Sequence, residues 1–487
     1  MPVERKIIFI IAAAFFVLVM RLGQLQLFHG DELRRLSEEN RLHIVKVPAP
    51  RGIIYDRNGE PLVENKPYFS VSLSPEMLGM VDLDAVSAFL GMKKEEISAK
   101  TDGRGKNSLG GIMLKEGLTF QEVAYIEARL SDYPGLSVEV DVMRNYLWKD
   151  VAAHVIGYLG RLNPRQAKSP ELKDVPSHAF VGQWGVERVF DGSLRGAPGE
   201  RVIEVDAAGR ELRLIIEKPP VKGEDLYLSI DLNMQREAER AFGDHAGALV
   251  ALKPDTGEVL ALVSKPSFDP NLFAKGINYS DWIALQEDKR FPMLNRALQS
   301  QYPPGSVFKI VTGIAALEEK AVALDTPVTC TGGLSSGSWR FGCWRKEGHG
   351  TLSFHNALVQ SCDVYFYTAG RRTGINSIAS YARKLGLGSK VGLQLVEDKA
   401  GCIPDEDWKR KTKGQPWYQG ETYIASIGQG YVLVTPLQAA RLMSAIANGG
   451  HIYDVTLTLP ESPRRPVRDI GVSEETLKEI KSALMGV

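Results

Sequence analysis

Pro303-Pro304-Gly305-Ser306-Val307-Phe308-Lys309 carries the strongest chemical signal in the 487-residue chain. Two prolines and a glycine end a loop, so we expect Ser306 to begin a helix that runs to Leu317. Residues three apart share one face of a helix, which places the Lys309 amine one turn from the Ser306 hydroxyl. A serine needs a base to become a nucleophile, and a lysine buried by apolar neighbours can be that base. The stretch therefore indicates nucleophilic catalysis.

A second motif, Ser361-Cys362-Asp363, lies 55 residues beyond Ser306 and precedes an aromatic helical segment, Val364-Tyr365-Phe366-Tyr367. A second serine and a carboxylate could relay a proton and position a substrate. Each motif alone also has a structural reading. The first could be a surface serine and lysine one turn apart, and the second an N-cap serine.

The N-terminus predicts a membrane anchor. Ile7–Met20 is an unbroken apolar run, and after Arg21 it continues to Phe28. The total, about 22 residues, is close to the ~20 that span a bilayer. Arg5 and Lys6 precede the run, so the N-terminus is expected in the cytoplasm and the rest of the chain in the periplasm or outside the cell. A cleaved signal peptide is the alternative, but no small-residue cleavage site follows the run.

Composition is that of an ordinary globular protein, with 44% hydrophobic and 24% charged residues. Lys+Arg and Asp+Glu number 59 each, so bulk charge gives no support for a nucleic-acid partner. A Pro/Gly/Lys-rich segment, Glu217–Gly223, is typical of a domain boundary. We therefore predict an anchor at residues 1–29, a first domain at 30–221 and a catalytic domain at 222–487.

The catalytic segment has the pattern of an α+β fold. Gly247–Leu252 and Val259–Val263 are predicted to form a hairpin with two apolar arms, joined by a Pro-Asp-Thr-Gly turn. Helices are predicted before and after it, one capped by Asp231 and another opened by Thr435-Pro436. A hairpin followed by several helices predicts helices packed on an antiparallel sheet.

Four further motifs narrow the family: Arg51-Gly52-Ile53-Ile54-Tyr55-Asp56-Arg57-Asn58-Gly59, Gly182-Gln183-Trp184-Gly185-Val186-Glu187 with Leu194-Arg195-Gly196, Trp417-Tyr418-Gln419-Gly420, and Ile427-Gly428-Gln429-Gly430-Tyr431. Ser-x-x-Lys followed by Ser-x-Asp resembles the penicillin-binding transpeptidases and serine β-lactamases. The first two of the four motifs resemble the pedestal signatures of class B (monofunctional) penicillin-binding proteins, and the last two resemble the elongation branch, penicillin-binding protein 2. The resemblance covers nearly the whole chain.

The resemblance implies an α+β fold with a transmembrane helix, an elongated, mostly-β, dimerisation-type pedestal and a transpeptidase domain. It implies a D,D-transpeptidase/carboxypeptidase of hydrolase type, anchored in the bacterial inner membrane by a single span. This enzyme would cross-link peptidoglycan stem peptides ending in D-Ala-D-Ala, as cell elongation and rod shape require. Ser306 would accept the acyl group and react with β-lactams, Lys309 would be the general base, Ser361 would shuttle the proton, and Asp363 would hold the second-motif loop. The chemistry would need no cofactor.

The chain departs from the family pattern at the third motif, Lys-Ser/Thr-Gly, which lies near the C-terminus on the edge strand of the sheet. Lys411-Thr412-Lys413-Gly414 superficially resembles it, but its polar setting before Trp417 argues against that assignment. We therefore expect a transpeptidase domain that is incomplete at its C-terminus. Without the strand the substrate carboxylate loses its cationic clamp and the oxyanion hole loses a donor, so the chain as given is expected to be poorly active.

Three cysteines and a histidine form a candidate metal site: Cys330, Cys343, His349 and Cys362. Thiolates and imidazole suit tetrahedral zinc, although the spacing lacks the Cys-x-x-Cys of a zinc finger. The resemblance implies a structural zinc here, since some elongation-type members carry one. A Cys330–Cys343 disulfide, or free buried thiols, are the alternatives in an oxidising compartment. Cys402 is predicted to be a buried free thiol.

Three rival functions remain open. Gly333-Leu334-Ser335-Ser336-Gly337 matches the Gly-x-Ser-x-Gly pattern of esterases, but no apolar strand precedes it and no helix is expected after it. A membrane-bound β-lactamase or β-lactam sensor would share Ser-x-x-Lys, yet the long pedestal and the Trp417–Gly420 motif argue against it. A non-catalytic scaffold or activator of a polytopic elongation glycan polymerase is the third, and it would use the anchor and the pedestal.

Overall fold

The computed structural model describes residues 3–28, 42–47, 49–74, 77–101, 111–173, 175, 179–205, 211–393, 395–459 and 462–487. The chain divides into two compact units, each assembled from separated stretches. Unit 1 comprises Met1–Gly52, Asn65–Met143 and Arg195–Glu224, and unit 2 comprises Ile53–Glu64, Arg144–Leu194 and Asp225–Val487. The domain boundaries predicted at residues 29/30 and 221/222 stay predictions.

Unit 1 holds two groups of three paired strands and a set of helices. Its described strands are Leu42–Val47, Ile112–Leu118, Gly199–Val205 and Glu211–Lys218, with most of Pro61–Leu73 and Leu136–Tyr146. Its helices are Val3–Gly23, Leu83–Leu90, Lys94–Thr101 and Phe120–Glu127. Gly199–Val205 lies between Leu42–Val47 and Glu211–Lys218, and Pro61–Leu73 pairs with Ile112–Leu118 and Leu136–Tyr146. Apolar side chains from the latter group, among them Val71 and Leu114, form the core of the unit.

Capping residues explain where the helices of unit 1 begin and end. The carboxylate of Asp82 accepts hydrogen bonds from the backbone N–H groups that open Leu83–Leu90, and Gly91 ends this helix in the left-handed conformation. Thr119 and Glu122 form a reciprocal capping box at the start of Phe120–Glu127.

The predicted anchor segment contains the helix Val3–Gly23. The apolar side chains described in it are exposed, including Phe15, Phe16 and Leu18. Among the residues described by the structure, no helix is both long enough and apolar enough to cross a membrane.

Unit 2 contains many more helices than unit 1. Its helices are Ala153–Ile156, Gly185–Val189, Asp191–Arg195 (which ends at the unit boundary), Leu232–Phe242, Tyr279–Glu287, Arg296–Gln299, Phe308–Glu318, Phe354–Val359, Asp363–Thr373, Ile375–Lys384, Glu406–Lys413, Gln419–Ser426, Pro436–Ala447 and Glu474–Leu484. Its strands are Ile54–Tyr55, Leu159–Arg161, Phe180–Gly182, Leu226–Tyr227, Gly247–Leu252, Val259–Lys265, Val328–Cys330, Gly333–Ser336, Trp339–Gly342, Gly350–Leu352, His451–Ile452 and Arg468–Asp469.

The predicted hairpin is confirmed, because Gly247–Leu252 pairs antiparallel with Val259–Lys265. The helix Leu232–Phe242 packs on its second strand and Pro436–Ala447 on its first. Asp231 and Thr435 cap these two helices as the sequence predicted. Helices packed on an antiparallel hairpin confirm the α+β prediction for this unit.

The Arg51–Gly59 motif supplies a tight turn to unit 2. One carboxylate oxygen of Asp56 accepts from the backbone N–H groups of Asn58 and Glu60, at 2.7 and 2.9 Å. The other accepts from the backbone N–H of Leu232 at 3.1 Å. The motif therefore contains a turn whose aspartate also holds the first turn of a helix far along the chain.

A buried ion pair holds the Gly182–Glu187 motif. The guanidinium Nε of Arg144 donates to Glu187 Oε1 at 2.7 Å, and the two side chains are 1% and 0% exposed. A buried pair of this kind contributes little net stability, but breaking it leaves a buried charge without its closest partner.

Glu187→Ala is therefore expected to lower the free energy of unfolding of unit 2 by roughly 3–5 kcal/mol. Urea denaturation followed by circular dichroism measures this loss. Glu237→Ala is the matched control, since its pair with Arg240 is exposed and such pairs contribute less than about 1 kcal/mol. Equal unfolding midpoints for the two variants would show that the buried pair does not stabilise the unit.

Candidate active site

Ser306 lies in a single 3₁₀ turn, Gly305–Val307, that leads directly into the helix Phe308–Glu318. Gly305 has a φ of +58° and its N–H donates to the carbonyl of Gly428 at 3.0 Å. The backbones come so close that a Cβ on Gly428 would lie 2.4 Å from the Gly305 carbonyl oxygen. This approach fixes the start of the helical segment. Ser306 lies in the 3₁₀ turn that opens it, and the α-helix itself begins at Phe308, two residues later than predicted.

The nucleophile helix, Phe308–Glu318, is buried for most of its length. Phe308, Val311 and Ile314 are almost fully excluded from solvent, and each such side chain contributes roughly 1.5–3 kcal/mol when buried. The helix packs against Asp363–Thr373, which follows the second motif. The packing therefore brings the two motifs of the sequence together.

Lys309 is the buried basic side chain of the site, with 1% of it exposed. Its Nζ donates to Asp363 Oδ1 at 2.6 Å, to the carbonyl oxygen of Ser361 at 2.7 Å and to Ser361 Oγ at 3.0 Å. The burial predicted from the apolar neighbours is confirmed. Asp363, by contrast, does more than hold its own loop, because its carboxylate forms an ion pair with the lysine.

Ser361 connects the lysine to the nucleophile. Its hydroxyl donates to Ser306 Oγ at 3.0 Å while it accepts from Lys309 Nζ. Hydroxyl hydrogens rotate freely, so each of these hydrogen bonds can also form with donor and acceptor exchanged. The three side chains then form a path that carries a proton from Ser306 Oγ through Ser361 to a neutral amine.

The four predicted metal ligands lie together. The ligand atoms of Cys330, Cys343, His349 and Cys362 are all within 4.8 Å of one another. Cys343 Sγ is 3.6 Å from Nδ1 of His349, while Nε2 of this imidazole is buried without a hydrogen-bond partner among the described residues. All three thiols are free, so the alternative of a Cys330–Cys343 disulfide is not what the structure contains.

In this cluster the imidazole is ready to bind a cation, whereas the Cys362 thiol has to lose its proton first. Burial lowers the pKa of His349, and the positive charge of Arg345 lowers it further, which favours the neutral imidazole that binds metals. Burial raises the pKa of the Cys362 thiol, and negative charge on Cys330 and Cys343 raises it further. A divalent cation would offset this repulsion, and three sulfurs with one nitrogen are a donor set that zinc prefers.

Glycines let the loop around the cluster turn. Gly348 and Gly350 have φ values of +85° and +70°. A Cβ on Gly348 would lie 2.2 Å from the carbonyl oxygen of Cys330, so only glycine fits there. Cys402 lies outside the cluster, and its free thiol is half-buried rather than fully buried.

Two stretches that resemble catalytic motifs in the sequence are excluded as such motifs by their secondary structure. Gly333–Ser336 pairs with Trp339–Gly342 as a hairpin, whereas an esterase elbow needs a strand followed by a helix. Lys411, Thr412 and Lys413 end the helix Glu406–Lys413, and Gly414 caps it in the left-handed conformation. That stretch therefore cannot be the edge-strand motif.

Trp344 is the site residue that the sequence did not identify. Its backbone N–H donates to Asp363 Oδ2 at 2.9 Å, on the oxygen opposite the one that binds Lys309. No motif contains this tryptophan. Its place directly after Cys343, in the loop of the metal cluster, was the one available signal.

Two family models match the chain. Residues 247–487 match the penicillin binding protein transpeptidase domain, and residues 46–228 match the penicillin-binding protein dimerisation domain. The peptidoglycan D,D-transpeptidase MrdA of Acinetobacter baumannii is 35% identical over 493 residues, covering 98% of this chain and 73% of that protein. MrdA of Escherichia coli strain K12 is 34% identical over 443 residues, covering 89% and 70%.

Solved structures of related proteins also resemble this chain. The complex between penicillin-binding protein 2 (PBP2) and MreC from Helicobacter pylori matches with a TM-score of 0.81 and 29% identity, covering 91% of this chain and 83% of that one. A structure described as the coordination of polymerization and crosslinking by a peptidoglycan synthase complex matches with a TM-score of 0.72 and 32% identity, covering 98% and 83%.

Proposed function

Because the chain belongs to the penicillin-binding protein 2 family of class B transpeptidases, we propose that it cross-links peptidoglycan stem peptides for cell elongation through an acyl group on Ser306. The observation that carries this proposal is the hydrogen-bonded path from Ser306 Oγ through Ser361 Oγ to the buried amine of Lys309. A path of this kind supplies the base that a serine nucleophile needs.

Acylation begins when Ser306 Oγ attacks the carbonyl carbon of the penultimate D-Ala. The proton leaves Ser306 Oγ for Lys309 through Ser361, and it then passes to the nitrogen of the terminal D-Ala as the peptide bond breaks. The acyl group stays on Ser306 until an amine from a neighbouring stem peptide attacks it and restores the hydroxyl. A β-lactam would acylate Ser306 by the same attack.

Asp363 has an electrostatic role in this scheme. Its carboxylate lies 2.6 Å from Lys309 Nζ, so it stabilises the ammonium that forms when the amine takes the proton. It also fixes the amine beside Ser361.

Adduct mapping on the full protein tests the function. We expect penicillin to add its mass once, on the peptide that contains Ser306, as read by mass spectrometry after proteolysis. An adduct on any other serine would refute the assignment.

Scaffolding is the second candidate function. The solved structures that resemble this chain include one with MreC and one of a peptidoglycan synthase complex. We infer that a polytopic elongation glycan polymerase is a partner of this chain. Complementation separates the two functions, since a Ser306→Ala protein that restores rod shape would favour the scaffold.

We infer further that the N-terminal segment anchors the protein in the inner membrane, with the catalytic domain in the periplasm. The unbroken apolar run Ile7–Met20, preceded by Arg5 and Lys6, supports this. Fractionation tests it: the protein should stay with the membranes in alkaline carbonate, and its release would contradict the anchor.

The Cys/His cluster is proposed to hold one structural zinc ion, bound by Cys330, Cys343, His349 and Cys362. Zinc would supply no step of the reaction here. It would tie the loop of Cys343 to the second motif, because Cys362 stands between Ser361 and Asp363.

Protein purified without chelators is therefore expected to contain about one zinc ion per chain, measured by atomic emission. Cys343→Ser should lose most of this metal, because one of four ligands is gone. Cys402→Ser is the control and should keep it. Less than about a tenth of an equivalent in the unmodified protein would contradict the zinc site.

A further inference from the structure

Ser361 has a backbone conformation that serine rarely adopts. Its φ is +49°, in the left-handed region where residues with a side chain are uncommon. Such a conformation persists only where the surroundings hold it. The conformation matters because the hydroxyl of this residue links Lys309 to Ser306.

The indole of Trp344 contacts the backbone at this strained position. Its Nε1–H lies 3.1 Å from the carbonyl oxygen of Ser361 and 3.2 Å from that of Gln360, and it donates to both. The backbone N–H of Trp344 donates to Asp363 Oδ2. One residue therefore holds the second motif on both sides of Cys362.

The Ser361 carbonyl is shared between two donors. Lys309 Nζ donates to it at 2.7 Å and the Trp344 indole at 3.1 Å, and a carbonyl oxygen has two lone pairs for them. Removing the indole N–H would leave the lysine as its one donor among the residues that the structure describes. The carbonyl could then rotate with the peptide, and the Ser361 hydroxyl would move with it.

We propose that Trp344 is a positioning residue for the transpeptidation chemistry: its indole N–H fixes the peptide of Ser361, and this keeps the Ser361 hydroxyl between Lys309 and Ser306. The inference rests on the proposed function of the site. Packing explains little of the tryptophan, because 64% of it is exposed. Its ring meets the edge of the His349 imidazole, with centroids 5.3 Å apart, and a phenylalanine ring can keep such a contact.

Trp344→Phe tests this, because it removes the indole N–H and keeps an aromatic ring and the backbone N–H. The acylation rate constant with penicillin is expected to fall about 3- to 10-fold, the value of one hydrogen bond. The dissociation constant of the noncovalent complex should not change, because the residue acts on the reacting groups through Ser361. Stopped-flow or quench kinetics over a range of penicillin concentrations separates the two constants.

Trp339→Phe is the matched control. Trp339 begins the strand Trp339–Gly342, five residues before Trp344, and is 72% exposed. It undergoes the same chemical change, so the acylation constant of this variant should equal that of the unmodified protein. An isosteric replacement of Trp344 by benzothienylalanine, which has sulfur in place of N–H, should reproduce the loss without any change in size.

The outcomes are distinct. No labelling of the unmodified full-length protein would refute the proposed function itself. Normal labelling with an unchanged acylation constant in both variants at position 344 would overturn the positioning role alone. A change in the dissociation constant without a change in the acylation constant would make Trp344 a substrate contact instead. A fall in bound zinc that parallels the fall in rate would assign the effect to the metal loop.

Discussion

Ser306→Ala is expected to abolish penicillin labelling and to lower stem-peptide cross-linking by at least about 10⁴-fold. The reason is chemical, because the substitution removes the hydroxyl that accepts the hydrogen bond from Ser361 Oγ at the start of the nucleophile helix. Alanine keeps the helix and fits where the hydroxyl was, so the free energy of unfolding should change little. Fluorescent penicillin labelling and a cross-linking assay with lipid-linked glycan substrate measure the two losses.

Ser335→Ala is the control for this result. Ser335 is the central serine of the Gly-x-Ser-x-Gly look-alike and lies on a hairpin strand. Its replacement should leave labelling unchanged. Labelling that survives Ser306→Ala but disappears with Ser335→Ala would reverse the assignment of the nucleophile.

Local signals in the sequence predicted the parts of the site that lie along one helix. Pro303, Pro304 and Gly305 marked the start of the helix, and the i, i+3 spacing placed Lys309 on the face of Ser306. The apolar residues around Lys309 predicted its burial. Such signals depend on residues only a few positions apart, so they can be recognised in the sequence alone.

Contacts between distant residues could not be predicted in the same way. The pairing of Lys309 with Asp363 joins residues 54 apart, and Asp56 holds the N–H of Leu232 from 176 residues away. Trp344 depends on the fold of the metal loop.

Lys309→Met is expected to lower the acylation rate constant by about 10²–10⁴-fold, the contribution of a positioned general base. Methionine has nearly the length of the lysine chain and fills the same buried space, but it cannot accept the proton that Ser361 relays. The ammonium partner of Asp363 is lost as well, so the free energy of unfolding should also fall. Acylation kinetics and urea denaturation on the same preparation measure both effects.

A loss of stability alone could lower the acylation rate constant, and Lys409→Met controls for this. Lys409 is equally buried, with 1% of its side chain exposed, and its Nζ lies 2.5 Å from Glu421 Oε1. The same substitution there removes a buried ammonium from a carboxylate without touching the serine–lysine path. It should lower the free energy of unfolding by a similar amount and leave the acylation constant nearly unchanged. Equal losses of acylation in the two variants would mean that Lys309 supports the fold rather than the proton transfer.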